Sequence, residues 1–122
     1  MKDWDLILKN AKECHTKEAW NKLLDQYKDE ILNAKSAKPI QELFKLLKLD
    51  PQCLQYEPEL WASLISACIS AWELDLGIEI SRFAQKVASA KIAIPAAQVH
   101  MESGAPALAR KTASRALRLT NV

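Results

Sequence analysis

Apolar residues recur along this chain at intervals of three and four residues, which is the period of an amphipathic α-helix. Long stretches follow that period rather than the period of two expected for a half-buried strand. The clearest cases are two sets with the same spacing: Trp20, Leu23, Leu24 and Tyr27, then Trp61, Leu64, Ile65 and Cys68. The pattern predicts an all-α fold in which each set lies on one face of a helix.

Seven helices are predicted, with ends set by capping residues and prolines. They cover about residues 3–12, 16–34, 39–49, 59–72, 77–90, 95–101 and 106–119. Thr16 suits an N-cap, Pro39 and Pro95 suit first turns, and Pro51 ends the third helix, which makes residues 51–58 the main connector. Short connections favour antiparallel pairs. We expect one domain over 1–122, with a capping helix (1–15) and pairs at 16–51, 58–90 and 93–120.

Small residues mark the second helix of two of these pairs. Gly77, Ser81 and Ala84 follow the second tryptophan set, and the same spacing returns 32 residues later at Ala109, Ala113 and Ala116. Small side chains at these positions let two helices approach closely. The sequence therefore predicts two tightly packed helical hairpins of related design.

These positions resemble the tetratricopeptide repeat (TPR), a hairpin of two helices about 34 residues long. Trp61 and Leu64 fit the first helix of that family's pattern, and Gly77 and Ala84 fit the second. The closing Leu49-Asp50-Pro51 is similar to the family's Leu-Asp-Pro ending. The resemblance implies a right-handed stack of helical hairpins.

The likeness is uneven along the chain. Ile65 and Cys68 depart from the family's small and aromatic positions, and Trp20 precedes Trp61 by 41 residues, which makes the first pair degenerate. The terminal pair has Ala93 and Ala96 where large residues are expected. A generic helical bundle, in which apolar residues also recur every three to four positions, remains the alternative.

The TPR resemblance implies a non-enzymatic adaptor or chaperone that binds a helix of a small partner protein in a concave groove. In length, helix number and repeat style the chain is also similar to bacterial type III secretion chaperones, which sequester an aggregation-prone subunit. The groove would be lined by the first helix of each pair. Tyr27, Trp72 and His100 are the candidate groove residues, whereas Trp20 and Trp61 are expected in the core.

Charge gives a second interpretation of the function. The net charge is +2, but residues 91–122 carry five basic side chains and one acidic one. Arg110, Lys111, Arg115 and Arg118 make the last helix a candidate surface for nucleic acid or an acidic partner. No aromatic residue lies among them to stack on bases, so nucleic acid is the less favoured ligand. A structural subunit of a larger assembly is a third interpretation.

The remaining chemistry points away from catalysis. Three cysteines without a secretory leader favour a reducing, cytoplasmic environment over a disulfide framework. His15 and His100 offer no convergent metal-ligand set, and Cys68 lies in the most apolar predicted helix, where a thiol behaves as a hydrophobe. No phosphate-binding glycine loop or paired-carboxylate motif occurs. We therefore expect no enzyme activity, no cofactor and no membrane insertion.

Overall fold

The computed structural model describes residues 2–50, 58–87 and 89–120, and these residues form eight α-helices and no strand. The helices are α1 (Lys2–Lys12), α2 (Lys17–Gln26), α3 (Lys28–Leu32), α4 (Ala37–Lys48), α5 (Pro58–Ser70), α6 (Leu74–Ala84), α7 (Ala90–Glu102) and α8 (Pro106–Thr120). The all-α prediction is confirmed. Of the predicted connector over 51–58, residues 51–57, with Cys53, lie outside the described residues, and Pro58 begins α5.

The eighth helix arises because the predicted helix over 16–34 is interrupted at Tyr27. Thr16 caps α2 as expected, since its hydroxyl accepts a hydrogen bond from the Ala19 amide at 3.1 Å. Tyr27 then leaves helical geometry at φ −117° and ψ 23°. Its side chain is buried, and its Oη accepts hydrogen bonds from Asn10 Nδ2 of α1 and from Gln26 Nε2, both at 3.3 Å. The interruption seats Tyr27 against α1.

The predicted ends of α6 and α7 were wrong. α6 runs from Leu74 to Ala84 rather than over 77–90, and α7 begins at Ala90 rather than at Pro95. Ser89 is the N-cap of α7, and its hydroxyl accepts a hydrogen bond from the Lys91 amide at 3.3 Å. Pro95 consequently lies inside the helix, where it removes one backbone donor.

Each helix packs mainly on its near neighbours in the sequence. α1 contacts α2 and α4, both α3 and α4 contact α5, and α5 contacts α6 and α7. α7 also packs on α6 and, most extensively, on α8. The centre of this stack is Trp61, which is fully buried and makes ring contacts with Phe44 of α4 at 6.2 Å and Phe83 of α6 at 5.3 Å. Trp20 is also buried, so both tryptophans expected in the core lie there.

Gly77 sets the separation of α6 from its neighbours. A Cβ atom placed there would lie 2.7 Å from Val99 Cγ2 of α7 and 3.1 Å from Cys68 Cβ of α5. Both distances are shorter than ordinary van der Waals contact, so only glycine permits this approach without displacement. Ser81 and Ala84 on the same helix are fully buried. The prediction that small residues bring these helices close together is confirmed.

The interfaces among α2, α3, α4 and the start of α5 are filled by larger side chains. Bulky residues from α2, α3, α4 and α5 meet there and enclose a small cavity of about 20 Å³ lined by Trp20, Leu23, Leu24, Ile31, Leu43, Leu47, Leu60 and Leu64. Interfaces filled by large residues hold helix axes farther apart than those filled by Gly, Ala and Ser. The two halves of the stack therefore differ in the size of the side chains that fill their interfaces.

Candidate partner-binding surfaces

The turns of the last two hairpins have the same backbone structure. Trp72, between α5 and α6, has φ +60°, and Gly104, between α7 and α8, has φ +83°. The amide after each of them donates to the carbonyl five residues earlier, Glu73 to Cys68 at 2.8 Å and Ala105 to His100 at 2.9 Å. This is the hydrogen bond that closes a helix through a left-handed residue. The 32-residue offset seen in the sequence thus relates two equivalent turns.

Trp72 is an unusual residue for that position. Glycine adopts positive φ without a steric penalty, whereas a side chain held there costs about 1 kcal/mol or more. The indole is also 66% exposed. Backbone strain of this kind persists most often at functional sites, and tryptophan is the residue most enriched among the energetic centres of protein interfaces. Of the groove residues predicted from the sequence, Trp72 is therefore accessible to a partner.

A groove lies between α5 and α7, which are in contact. The starts of the two helices lie close together, since Lys91 Nζ of α7 approaches Glu59 Oε1 of α5 to 3.5 Å. Trp72, in the turn that follows α5, and Met101, near the end of α7, are both exposed. The groove has a volume of about 350 Å³ and is lined by Glu59, Ala62, Ser66, Lys91, Ile94, Pro95 and Gln98.

The composition of this α5–α7 groove suits a peptide or helix. Its lining includes small side chains at Ala62 and Ser66 of α5, and Ile94 of α7, 59% exposed, supplies an apolar contact. The groove's remaining polar groups can bind the polar flank of a ligand. Sequence reasoning missed Ile94 because the helix was predicted to begin only at Pro95, one residue after it.

The expected exposure of two candidate residues was wrong. Tyr27 is only 9% exposed because its hydroxyl is held against α1. His100 is 2% exposed because it faces the interior at the position equivalent to Cys68, and its Nδ1 has no hydrogen-bond partner among the described residues. Burial, together with the positive charge of Arg82, lowers the pKa of His100 below its ordinary value. Both side chains belong to the packed interior.

The basic residues of α8 separate into two kinds. Arg115 is half-buried, and its guanidinium donates a hydrogen bond to the Gln85 carbonyl at 3.0 Å. This bond fixes α8 to the end of α6. Arg110, Lys111 and Arg118 are exposed on the same helix. The structure thus assigns Arg115 a contact within the fold and leaves the other three cations on the surface.

The thiols of Cys68, which is buried, and Cys14, which is half-buried, are not poised for nucleophilic chemistry. Burial, and secondarily the Glu73 carboxylate, raises the pKa of Cys68 to about 12. Burial also raises the pKa of Cys14, with a further contribution from Glu13. Since the thiolate is the reactive form, both groups stay protonated near neutral pH. Within the described ranges, the acidic, cysteine and histidine side chains nowhere gather in threes as a metal site would require.

The helices that the structure describes include none with both the length and the apolar character needed to cross a bilayer. Comparison with protein-family models, with curated proteins and with solved structures found no match for this chain.

Proposed function

We propose that this protein is a non-enzymatic adaptor or chaperone that holds a helical segment of a small partner protein in the α5–α7 groove. In this proposal the exposed Trp72, in the turn that follows α5, is a further anchor for the partner. The observation that carries the proposal is the exposed indole in a left-handed turn whose repeat equivalent is glycine.

The packing order of the helices supports this assignment. A TPR-like stack brings the first helix of one hairpin against the first helix of the next, and α5 and α7 are in such contact. An amphipathic helix buries its apolar face in a groove of this kind by placing side chains at every third or fourth residue. Sequestration of that face would keep the partner from assembling prematurely, as the similarity to type III secretion chaperones implies.

The basic surface of α8 supports the nucleic-acid alternative less well. The guanidinium of Arg115 donates a hydrogen bond within the fold. The exposed cations of α8 are therefore Arg110, Lys111 and Arg118. Three contacts with phosphate would bind weakly and with strong salt dependence. A protein ligand also accounts for the exposed Trp72, which the nucleic-acid interpretation leaves unused.

Two variants at Trp72 test the proposal, because they separate the indole from the backbone strain. Both Trp72→Gly and Trp72→Ala remove the indole, but only glycine relieves the strain of the left-handed turn. Tagged wild-type and variant proteins would be used to capture partners from a lysate of the source cells. The captured protein would then be purified and titrated against each form. Leu6→Ser, at an exposed apolar position on α1, is the matched control.

We expect both Trp72 variants to weaken binding by at least about 30-fold, as the loss of an interfacial tryptophan anchor does, with Leu6→Ser close to wild type. Equal affinity of Trp72→Gly and wild type for the captured protein would refute the proposal. Capture that disappears after nuclease treatment or a high-salt wash would instead support the basic-surface alternative.

A further inference from the structure

A second surface lies at the open end of the stack, between α7 and α8. It is an apolar groove of about 480 Å³ lined by Ile94, Ala97, Ala113, Ala116 and Leu117. Ile94 and Leu117 are large apolar residues with more than half of their surface exposed, and Met101, also exposed, lies seven residues after Ile94 on α7. We name this surface the terminal groove. It differs from the α5–α7 groove, which it meets at Ile94.

The internal repeat shows which kind of element fits there. The 32-residue offset places Ala97 at the position of Ile65, and Ala113 at the position of Ser81. Ile65 and Ser81 are completely buried, and α7 packs on both α5 and α6. At the equivalent sites of the next hairpin, Ala97 is only half-buried and Ala113 is exposed. On the α5–α6 hairpin the chain's own neighbouring element is the helix α7, which packs on both α5 and α6. The equivalent positions of α7–α8 have no such neighbour among the described residues.

The dimensions of the groove agree with a helical ligand. Ile94 and Met101 are seven residues apart on α7, which corresponds to about 10 Å along the helix axis, or two turns. In α7 itself, the fully buried residues Ile92, Ala96 and Val99 form the apolar stripe at i, i+4 and i+7. A helix with small and medium apolar side chains at that spacing can therefore cover the terminal groove.

The basic residues of α8 favour a ligand whose polar residues are acidic. Arg110 shares the α8 stripe of Ala113 and Leu117, since the three residues are spaced at i, i+3 and i+7. Lys111 and Arg118 lie farther around the exposed side of α8, and no acidic residue occurs between positions 103 and 120. A second copy of this chain would bring the basic α8 helices together, which like-charge repulsion disfavours. Acidic residues on the ligand would be attracted instead.

We propose that the terminal groove binds an amphipathic helix of a partner protein whose polar flank is acidic, seated as α7 is seated on α5–α6. The ligand continues the stack by one helix. Its apolar stripe lies over Ala97 and Ala113, and its acidic residues lie beside Arg110.

Synthetic helices test this assignment directly. The probe is a lactam-bridged peptide of about 14 residues that carries Ile, Ala and Val at i, i+4 and i+7 and Glu at its flanking positions; the bridge is needed because short free helices are marginal in water. A second peptide has the same apolar stripe with Lys in place of Glu. Binding to the wild-type protein is measured by fluorescence anisotropy at low and at physiological salt.

The protein variants form a charge-matched pair. Ala113→Glu places a carboxylate in the groove, whereas Ser114→Glu makes the same change of net charge one residue farther around α8, where Ser114 is exposed. Because both positions are exposed, both variants are expected to keep the wild-type circular dichroism and melting temperature. Any difference in their peptide affinity then reports on the groove.

The expected result is a preference of at least about tenfold for the acidic peptide over the basic one. Ala113→Glu should lower the affinity for the acidic peptide about tenfold more than Ser114→Glu does, since it buries a like charge in the groove. Trp72→Gly should leave this affinity unchanged, so that failure of the terminal groove and failure of the Trp72 site remain distinguishable.

Three results would overturn the proposal. The first is equal or absent binding of the two peptides, and the second is equal affinity of Ala113→Glu and Ser114→Glu. The third is a wild-type dimer in sedimentation experiments that Ala113→Glu converts to monomer, because a second copy would then occupy the groove. Peptide binding by a monomeric wild-type protein, weakened about tenfold more by Ala113→Glu than by Ser114→Glu, supports the assignment.

Discussion

The α5–α6 and α7–α8 hairpins share a turn geometry and a spacing of small residues, but equivalent positions in them have different surroundings. Ser81 is completely buried, whereas its equivalent, Ala113, is exposed in the terminal groove. The two turns differ in backbone strain. Trp72 has a positive φ that is strained for a residue with a side chain, whereas glycine at position 104 adopts it without a steric penalty. A repeat position thus specifies the local backbone, and the presence or absence of the next helix specifies how much of the residue is covered.

The largest expected contrast comes from introducing leucine at the two equivalent positions. Ser81→Leu should destabilise the protein by about 3 kcal/mol, because extra volume in a closed interface forces the helices apart. Ala113→Leu should change the free energy of unfolding by less than about 0.5 kcal/mol, because the position opens to solvent. Urea denaturation measures both. Similar losses for the two variants would mean that the terminal groove is covered in solution.

The two turns should respond to reciprocal substitutions with opposite sign. Trp72→Gly is expected to stabilise the protein by about 1 kcal/mol, since it relieves the left-handed strain, and Gly104→Ala to destabilise it by about the same amount. No atom lies within 4 Å of a Cβ added at Gly104, so the second effect isolates backbone strain from packing. Differential scanning calorimetry should show melting shifts of about 4 °C in opposite directions.

Trp72→Ala is the control for this pair. It retains the strained backbone while removing the indole, and it should therefore be no more stable than wild type. If Trp72→Gly were less stable than Trp72→Ala, the left-handed turn would not be strained. The argument that Trp72 is kept for binding in spite of backbone strain would then be wrong.

His100 is expected to make the free energy of unfolding depend on pH in the acid range, whereas the equivalent Cys68 is not. This effect is smaller than those above. Burial lowers the pKa of folded His100 below that of the unfolded chain, which is near 6.5. Below about pH 6.5 the unfolded state therefore binds the proton more readily, and stability falls as the pH decreases. The contribution of neutral His100 is fully present above that pH. His100→Cys, the residue at the equivalent position, should flatten this part of the profile.

Urea midpoints at about pH 8, 7, 6 and 5 would measure the profile across the ordinary pKa of histidine. The wild-type midpoint should fall more steeply than that of His100→Cys over the acid half of this range. Parallel profiles would show that His100 can be protonated without cost in the folded state.

The smallest effect is expected for the ion pair that joins the two hairpins. Lys91 and Glu59 are both largely exposed, so Lys91→Ala should cost less than about 0.5 kcal/mol. Lys45→Ala, which removes the exposed pair with Glu42 inside α4, is the control and should cost a similar amount. If Lys91→Ala lowered the free energy of unfolding several times more than Lys45→Ala, the Lys91–Glu59 pair would contribute specifically to the packing of α7 on α5.

Much of the helical structure could be predicted from the sequence, but its ends were less predictable. The caps at Thr16 and the start of α8 at Pro106 follow local rules. The prediction for α7 was wrong because Pro95 was assigned to a first turn, although Ser89 caps the helix one and a half turns earlier. Proline inside a helix is tolerated when the neighbouring helices hold the backbone in place, and that support is not visible in sequence.

The candidate site was predicted only in part. Trp72 and the exposed cations of α8 were identified from the sequence, whereas Tyr27 and His100 were assigned to a groove and are buried. An amphipathic pattern identifies the apolar face of a helix but not which edge of that face receives a neighbour. Ile94 and Met101 illustrate the converse, because apolar residues in an alanine-rich helix are expected to be core and these two are exposed.

The sequence by itself determined the all-α class, the two hairpins related by 32 residues and the close approach at Gly77, because helical period, capping and side-chain size act locally. The tertiary structure alone decided which members of the repeat are covered. Burial depends on the helices that pack alongside, and Ser81 is completely buried while the equivalent Ala113 is exposed. The same dependence placed Tyr27 against α1 and left the indole of Trp72 accessible.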